Sequence, residues 1–258
     1  MNPIIFKIGS IGIRWYSVLI LISFIIGYVL VLTRARKQGI SSIYISDISF
    51  YVIIFCILGA RLYYCAFNFD YYKDHLIEIL KIWEGGLAIH GGIIAGLLVL
   101  IFYTKKFQIG FLRLTDIIAP ALALGQAIGR WGNFFNSEAF GPATTIAELK
   151  RLHVPGFVID GMYIDGAYHH PTFFYESIAC LLIFIVIMII RNSKHIKDGQ
   201  VTGIYFMMYG LARFFIEPLR QDSLFFGTMK AAQLVSVVMF VCGAVLIIIP
   251  LLRREHDQ

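Results

Sequence analysis

The chain has 258 residues, of which 59% are hydrophobic and 15% charged, and its mean hydropathy is +0.77. Soluble domains are typically about 45–50% apolar, so the composition excludes a soluble globular class and points to an all-α polytopic membrane protein. The formal net charge of +6 then reports loop orientation, and nucleic acid is not expected as a partner.

A spanning helix needs roughly 20 apolar residues. Seven runs meet or approach that length: 15–33, 47–67, 86–103, 116–136, 172–190, 201–217 and 231–252. Lys and Arg are denser in the loops holding Arg34, Lys105, Arg191 and Arg253 than in those holding Lys7, Lys73, Lys150 and Arg220. The positive-inside rule therefore puts the N-terminus outside and the C-terminus in the cytoplasm. The first run lacks a basic flank and is too long for a signal-peptide core, so no cleavable signal peptide is expected. The four cysteines, Cys56, Cys65, Cys180 and Cys242, form no CxxC pair. They read as small buried residues rather than as disulfides or a zinc site.

Residues 3–13, with Gly9 and Gly12, read as an interfacial element, and Trp15-Tyr16 as an outer-interface aromatic pair. Arg61 lies in the second run and calls for a tyrosine or an acidic partner. Residues 76–83 read as an interfacial amphipathic helix ended by Glu84-Gly85-Gly86. The third run opens GGLAIHGG, with His90 about one turn inside; the flanking glycines suggest room around the ring.

The stretch QAIGRWGNFFNSEAFGPATT, residues 126–145, is far too polar for its place. As a helix it puts Gln126, Arg130, Asn133 and Ser137 on one face. An intramembrane arginine costs at least about 2.5–3.5 kcal/mol on insertion scales, so Arg130 needs a partner or a task. Residues 137–170 form a small outward-facing head rather than a separate soluble domain. In it, Thr145-Ile-Ala-Glu148 is a capping-box pattern for a short helix. Residues 157–164 read as a hairpin turning at Asp160-Gly161. HPTFFYE, residues 170–176, opens the fifth run with Pro171 as a start signal. Glu176, one turn inside, is a functional candidate or an arginine's partner. In the sixth run Tyr209, Arg213 and Glu217 share a face, and Pro218 stops or bends the helix just before Arg220. The seventh run has no charge and reads as an anchor.

GRWGNFFNSEAFG, residues 129–141, resembles the signature of the prolipoprotein diacylglyceryl transferases, a family of bacterial inner-membrane enzymes. The family pattern G-R-x-G-N-F-x-N-x-E-x-x-G is met at Gly129, Arg130, Gly132, Asn133, Phe134, Asn136, Glu138 and Gly141. Further matches are Trp15-Tyr16, His90 before Gly91-Gly92, H-P-x-x-x-Y-E at His170, Pro171, Tyr175 and Glu176, and Y-G-x-x-R-x-x-x-E at Tyr209, Gly210, Arg213 and Glu217. Five motifs in order cover nearly the whole chain. The resemblance implies one membrane-embedded transferase domain over 1–258, multi-pass in the bacterial inner membrane, with its site toward the outer leaflet. The implied reaction moves the diacylglyceryl unit of phosphatidylglycerol to the thiol of the lipobox cysteine of a preprolipoprotein signal peptide. A thioether forms and glycerol phosphate leaves, with no cofactor and no metal. His90, Arg130, Arg213, Glu217 and Tyr16 are the catalytic candidates. Arg130, Asn133, Asn136, Glu138, Gly141, Tyr209 and Arg61 are the substrate-binding ones.

The residue types suit that chemistry. Two arginine forks fit a headgroup phosphate, and fixed cations stabilise the charge that develops on a leaving phosphate. A thiol needs a base or a nearby cation. His90, Glu138 and Glu217 are the alternatives for handling its proton, and imidazole is the side chain that ordinarily titrates near neutrality. The competing class is a phospholipid or signal-peptide binding or transport protein. A transporter would more often show inverted repeats, and none is found. A retinal protein would need a lysine in the last run, and 231–249 has none.

Overall fold

The structure is a computed structural model, and it describes residues 3–8, 11–221, 225–227 and 229–256. In chain order the elements begin with strands β1 (Ile4–Ile8) and β2 (Ile11–Arg14), then helices α1 (Trp15–Lys37), α2 (Ser42–Phe67), α3 (Phe69–Tyr72) and α4 (Ile89–Lys106). Next come α5 (Phe111–Asn136), β3 (Ala143–Thr144), α6 (Ile146–Arg151), α7 (Gly156–Gly161), β4 (Tyr163–Ile164) and β5 (Ala167–His169). The chain ends with α8 (Thr172–Ile190), α9 (Gln200–Ile216), β6 (Phe225–Phe226), β7 (Met229–Lys230) and α10 (Ala231–His256).

Among the described residues, six helices are long and apolar enough to cross a membrane: α1, α2, α4, α5, α8 and residues Ala231–Pro250 of α10. The run expected at 201–217 is helical as α9 but has only 17 residues, about 26 Å at 1.5 Å per residue. Its end is set by a 3-10 turn, Glu217–Leu219, built around Pro218, which cannot continue an α-helix.

The chain divides into two compact units, Val31–Leu114 on the one hand and Met1–Leu30 with Thr115–Gln258 on the other. In the 31–114 unit, α2 and α4 pack backbone to backbone. A side chain on Gly59 would meet the Gly91 carbonyl at 2.6 Å, and one on Gly96 would meet the Cys56 sulfur at 2.9 Å. Small residues at such a seam let helices associate in lipid through van der Waals contact. The glycines after His90 therefore serve helix packing, not space around the imidazole. The expected amphipathic helix at 76–83 is instead two 3-10 turns, Leu76–Leu80 and Ile82–Glu84.

In the other unit, the apolar start of the chain is a hairpin, with β1 antiparallel to β2 and Phe6 opposite Ile13; Gly9 lies outside the described residues. Helix α9 has no capping side chain of its own. Asp116 of α5 supplies one, accepting from the Gly199 and Thr202 amides, each at 2.7 Å, and from the Thr202 hydroxyl at 2.6 Å. This satisfies amides that a helix start leaves orphaned.

The 137–170 head holds a three-stranded sheet in the order β3-β5-β4, flanked by α6 and α7. Its core, Leu149, Val154, Val158, Ile159 and Met162, is completed by Phe134 of α5 and Phe173 of α8. The Thr145 half of the capping box forms, its hydroxyl accepting from the Glu148 amide at 3.2 Å, while the Glu148 carboxylate pairs with Arg151 at 2.7 Å. The hairpin lies one Asp-Gly later than expected. Residues 156–161 are helical, burying Val158 and Ile159, and the strands turn at Asp165-Gly166 with φ of 50° and 87°. Two successive positive φ values are what a type I′ turn requires.

Candidate active site

Glu176 is the hub. It is the fifth residue of α8, one turn past the Pro171 cap, and is 1% exposed. A buried carboxylate is tolerated only when it is paired and hydrogen-bonded. Arg130 of α5 reaches its Oε1 at 2.6 Å, and Arg213 of α9 reaches its Oε2 at 2.8 Å. The Tyr209 hydroxyl donates to Oε1 at 3.0 Å. Arg213 also pairs with buried Glu217, one helical turn on, at 2.6 Å. Arg220, just past the 3-10 turn, has a guanidinium nitrogen 4.0 Å from Oε2. The side chains of Arg130 and Arg213 remain 23% and 14% exposed. Both arginine side chains are therefore partly accessible, whereas the carboxylate that gathers them is not.

The surrounding elements fix this geometry. Beside Arg130, the Trp131 indole donates to the Ser177 hydroxyl at 3.1 Å, and Ser177 donates to the Ala127 carbonyl at 2.7 Å. This side-by-side bonding holds α5 and α8 in the register that brings Arg130 to Glu176. One turn deeper, the Tyr205 hydroxyl donates to Gln126 at 3.0 Å, and the Tyr205 and Tyr209 rings stack 5.9 Å apart. After Pro218, the Lys230 ammonium donates to the carbonyls of Glu217, Pro218 and Arg220 at 2.9, 3.3 and 2.8 Å.

The remaining motif residues take distinct places. Asn133 and Asn136 donate to the same oxygen of exposed Glu138, at 3.0 and 3.2 Å. Ser137 is not on their helix: α5 ends at Asn136, and Ser137 has φ 51°. The Gly141 amide donates to the His170 carbonyl at 2.8 Å. A side chain at Gly141 would press on the His170 Cβ at 2.8 Å and the Leu219 carbonyl at 2.9 Å. The Tyr16 ring lies directly against Gly132, where a side chain would collide with it, and Trp15 stacks on Phe135 at 4.7 Å.

Two expected site residues, His90 and Arg61, belong to the 31–114 unit. His90 is exposed in the first turn of α4, with its ring 6.0 Å from that of Tyr63. Arg61 is 5% exposed and donates to four main-chain carbonyls: Ile79 at 2.9 Å, Glu78 at 2.5 Å, Gly85 at 2.9 Å and Gly86 at 3.1 Å. Sequence reasoning saw Glu176 as an arginine's partner but missed it as the hub, and left Arg220 outside the site. The signal for Arg220 is its spacing: three residues past Glu217, a 3-10 turn returns it to the side of its neighbour.

Comparison with known proteins identifies the family. The family model described as prolipoprotein diacylglyceryl transferase matches residues 3–249. A protein of Listeria innocua named phosphatidylglycerol–prolipoprotein diacylglyceryl transferase is 44% identical over 248 residues, 96% of this chain and 89% of that protein. Proteins of the same name from Staphylococcus saprophyticus and Ligilactobacillus salivarius are each 41% identical over 258 residues, covering all of this chain and 91% and 95% of theirs. With a match over nearly its full length to both the family model and these relatives, the chain belongs to the prolipoprotein diacylglyceryl transferase family.

Proposed function

We propose that the chain is the transferase its relatives are named for, acting in lipoprotein maturation by moving the diacylglyceryl group of phosphatidylglycerol to a prolipoprotein. The acceptor is the thiol of the lipobox cysteine in the signal peptide. The sulfur forms a bond to the glyceryl carbon, the carbon–oxygen bond to phosphate breaks, and its electron pair leaves with glycerol phosphate. The observation that carries this reading is the pair of arginines held side by side on the two oxygens of Glu176 with both side chains still partly exposed. Planar guanidiniums in that setting suit a phosphate on the open side, and charge growing on it is stabilised without reorganisation.

We assign the thiol proton to His90. The carboxylates of Glu217 and Glu138 are engaged by Arg213 and by the two asparagines, while the His90 ring is exposed. Asn133, Asn136, Glu138, Gly141, Tyr209 and Tyr16 are read as shaping the lipid site around the arginines. The protein is read as an inner-membrane enzyme with seven spans, α9 being the short one, an outside N-terminus and a site in the outer leaflet.

The deciding experiment incubates purified protein with phosphatidylglycerol and a lipobox peptide. A mass gain of one diacylglyceryl group on the cysteine is expected, and no gain with well-folded protein sinks the transferase reading. For orientation, a cysteine placed at Ser193 should resist a membrane-impermeant thiol reagent added outside, and one at Gly156 should react. The reverse labelling overturns the topology.

A further inference from the structure

We propose that Arg61 is a positioning residue for the entry into α4, and through it for His90, rather than a residue that touches lipid. Its guanidinium gathers the carbonyls of Glu78, Ile79, Gly85 and Gly86 into one cage. An arginine side chain has five N–H donors, and four are taken here. The residue is 5% exposed, with the Tyr72 ring 5.3 Å beneath its central carbon.

Two of the acceptors lie at the end of the 3-10 segment Leu76–Leu80, where helix carbonyls run short of intrahelical partners: Ile79, and Glu78, whose carbonyl also accepts from the Lys81 amide at 3.1 Å. Gly85 and Gly86 adopt φ of 94° and 67°, a backbone that only glycine adopts readily. That conformation turns both carbonyls toward the guanidinium. Gly86 is also sterically required, because a Cβ there would lie 2.5 Å from an Arg61 nitrogen. Next to the cage, the Ala88 amide donates to the Ala60 carbonyl at 3.0 Å. Two consecutive residues of α2 thus hold both ends of the segment 78–88, and His90 follows two residues later. The segment's own apolar side chains Leu80, Ile82, Trp83 and Leu87 are exposed, so packing within the protein contributes little to fixing its path.

The activity arm of the test rests on the transferase reading; the structural arm does not. Arg61→Lys keeps the charge but not the fork, and Gly86→Ala keeps the arginine and wedges the cage open. Both should speed amide hydrogen exchange across residues 78–89. Both should lower turnover by on the order of 10- to 10²-fold, the scale expected of a displaced reacting group, with the KM for phosphatidylglycerol within about twofold of the parent's. In a His90→Gln background, Arg61→Lys should lower turnover no further. If Arg61→Lys does not accumulate, Gly86→Ala carries the test alone. Three outcomes overturn the proposal: unchanged exchange at 78–89, a raised lipid KM with parental turnover, or a full additional loss in the His90→Gln background. A parent protein that transfers nothing to the lipobox peptide sinks the transferase reading only, and the exchange arm then decides the cage by itself.

Discussion

Arg61 and Arg130 are both arginines taken out of water, yet they are handled in opposite ways. Arg61 is surrounded by main-chain carbonyls that are part of the fold. Arg130 shares a single buried carboxylate with Arg213 and stays partly exposed. Dipoles fixed in the backbone satisfy a cation permanently and leave it little to offer a ligand. A shared counter-ion satisfies two cations only in part, so an incoming anion can still find donors. The difference teaches that a costly intramembrane charge is a functional candidate only until its acceptors are counted.

Removing the shared counter-ion should have the largest effect. Glu176→Gln leaves Arg130 and Arg213 part-buried beside a neutral amide. Breaking a buried pair costs about 3–5 kcal/mol, so the unfolding midpoint in detergent should drop sharply and transfer should fall to background. A Glu176→Gln protein as stable as the parent would mean that the arginines have another counter-ion.

Lysine at the two arginines comes next. Arg130→Lys should fold and insert but lose about 10²–10³ in turnover, the scale of losing one fixed donor to developing charge. Arg213→Lys should lose turnover more than affinity for phosphatidylglycerol, since an interaction made mainly in the transition state shows in kcat. Parental lipid affinity and turnover in both variants would turn the pair into structural ion pairing.

On the other side of the comparison, His90→Gln keeps the size and hydrogen bonding of the side chain without its titration. Turnover should fall by about 10², the usual scale for a general base, with the fold and lipid affinity intact. Near-normal turnover would pass the proton to Glu138 or Glu217.

The smallest effect is expected at the rim of the Arg61 cage. The Tyr71 hydroxyl donates to the Glu78 carboxylate at 2.7 Å. That bond, helped by the nearby Lys81 ammonium, holds the Glu78 carboxyl below its ordinary range. A lowered folded-state value means the contribution is present above the unfolded value, about 4.3 for glutamate. It fades as pH falls through the lowered one. Tyr71→Phe should move the Glu78 titration back up, seen by carbon NMR of the labelled carboxyl, and leave turnover at neutral pH unchanged. Lost turnover would mean that the rim, and not only the four carbonyls, supports the cage.

Much of this was legible in the sequence. Apolar runs located the six long helices, and the i, i+4, i+8 spacing of Tyr209, Arg213 and Glu217 brought the first two to Glu176 and the third to Arg213. Acceptors were not legible. A carbonyl carries no residue type, so nothing in the letters distinguished Arg61, held by main chain, from Arg130, held by a carboxylate. The glycines around His90 misled for the same reason: an empty Cβ position reads alike whether a ligand or the backbone of Gly59 fills it. The two Asp-Gly dipeptides were equivalent on paper. Only the burial of Val158 and Ile159 at helical spacing after Pro155 assigns the first to a helix and leaves the turn to Asp165-Gly166.

The head's core has a practical consequence for protein engineering. Because Phe134 and Phe173 complete it, and Trp131 stacks on Phe157 at 6.0 Å, the segment 137–170 is not a cassette that can be cut out and expressed or swapped by itself. A graft has to carry the adjoining ends of α5 and α8 along with it. The place for an epitope tag or a fluorophore is instead the Asp165-Gly166 turn, where Gly166 faces open space, and not Gly141, where a side chain would press on His170, Thr172 and Leu219.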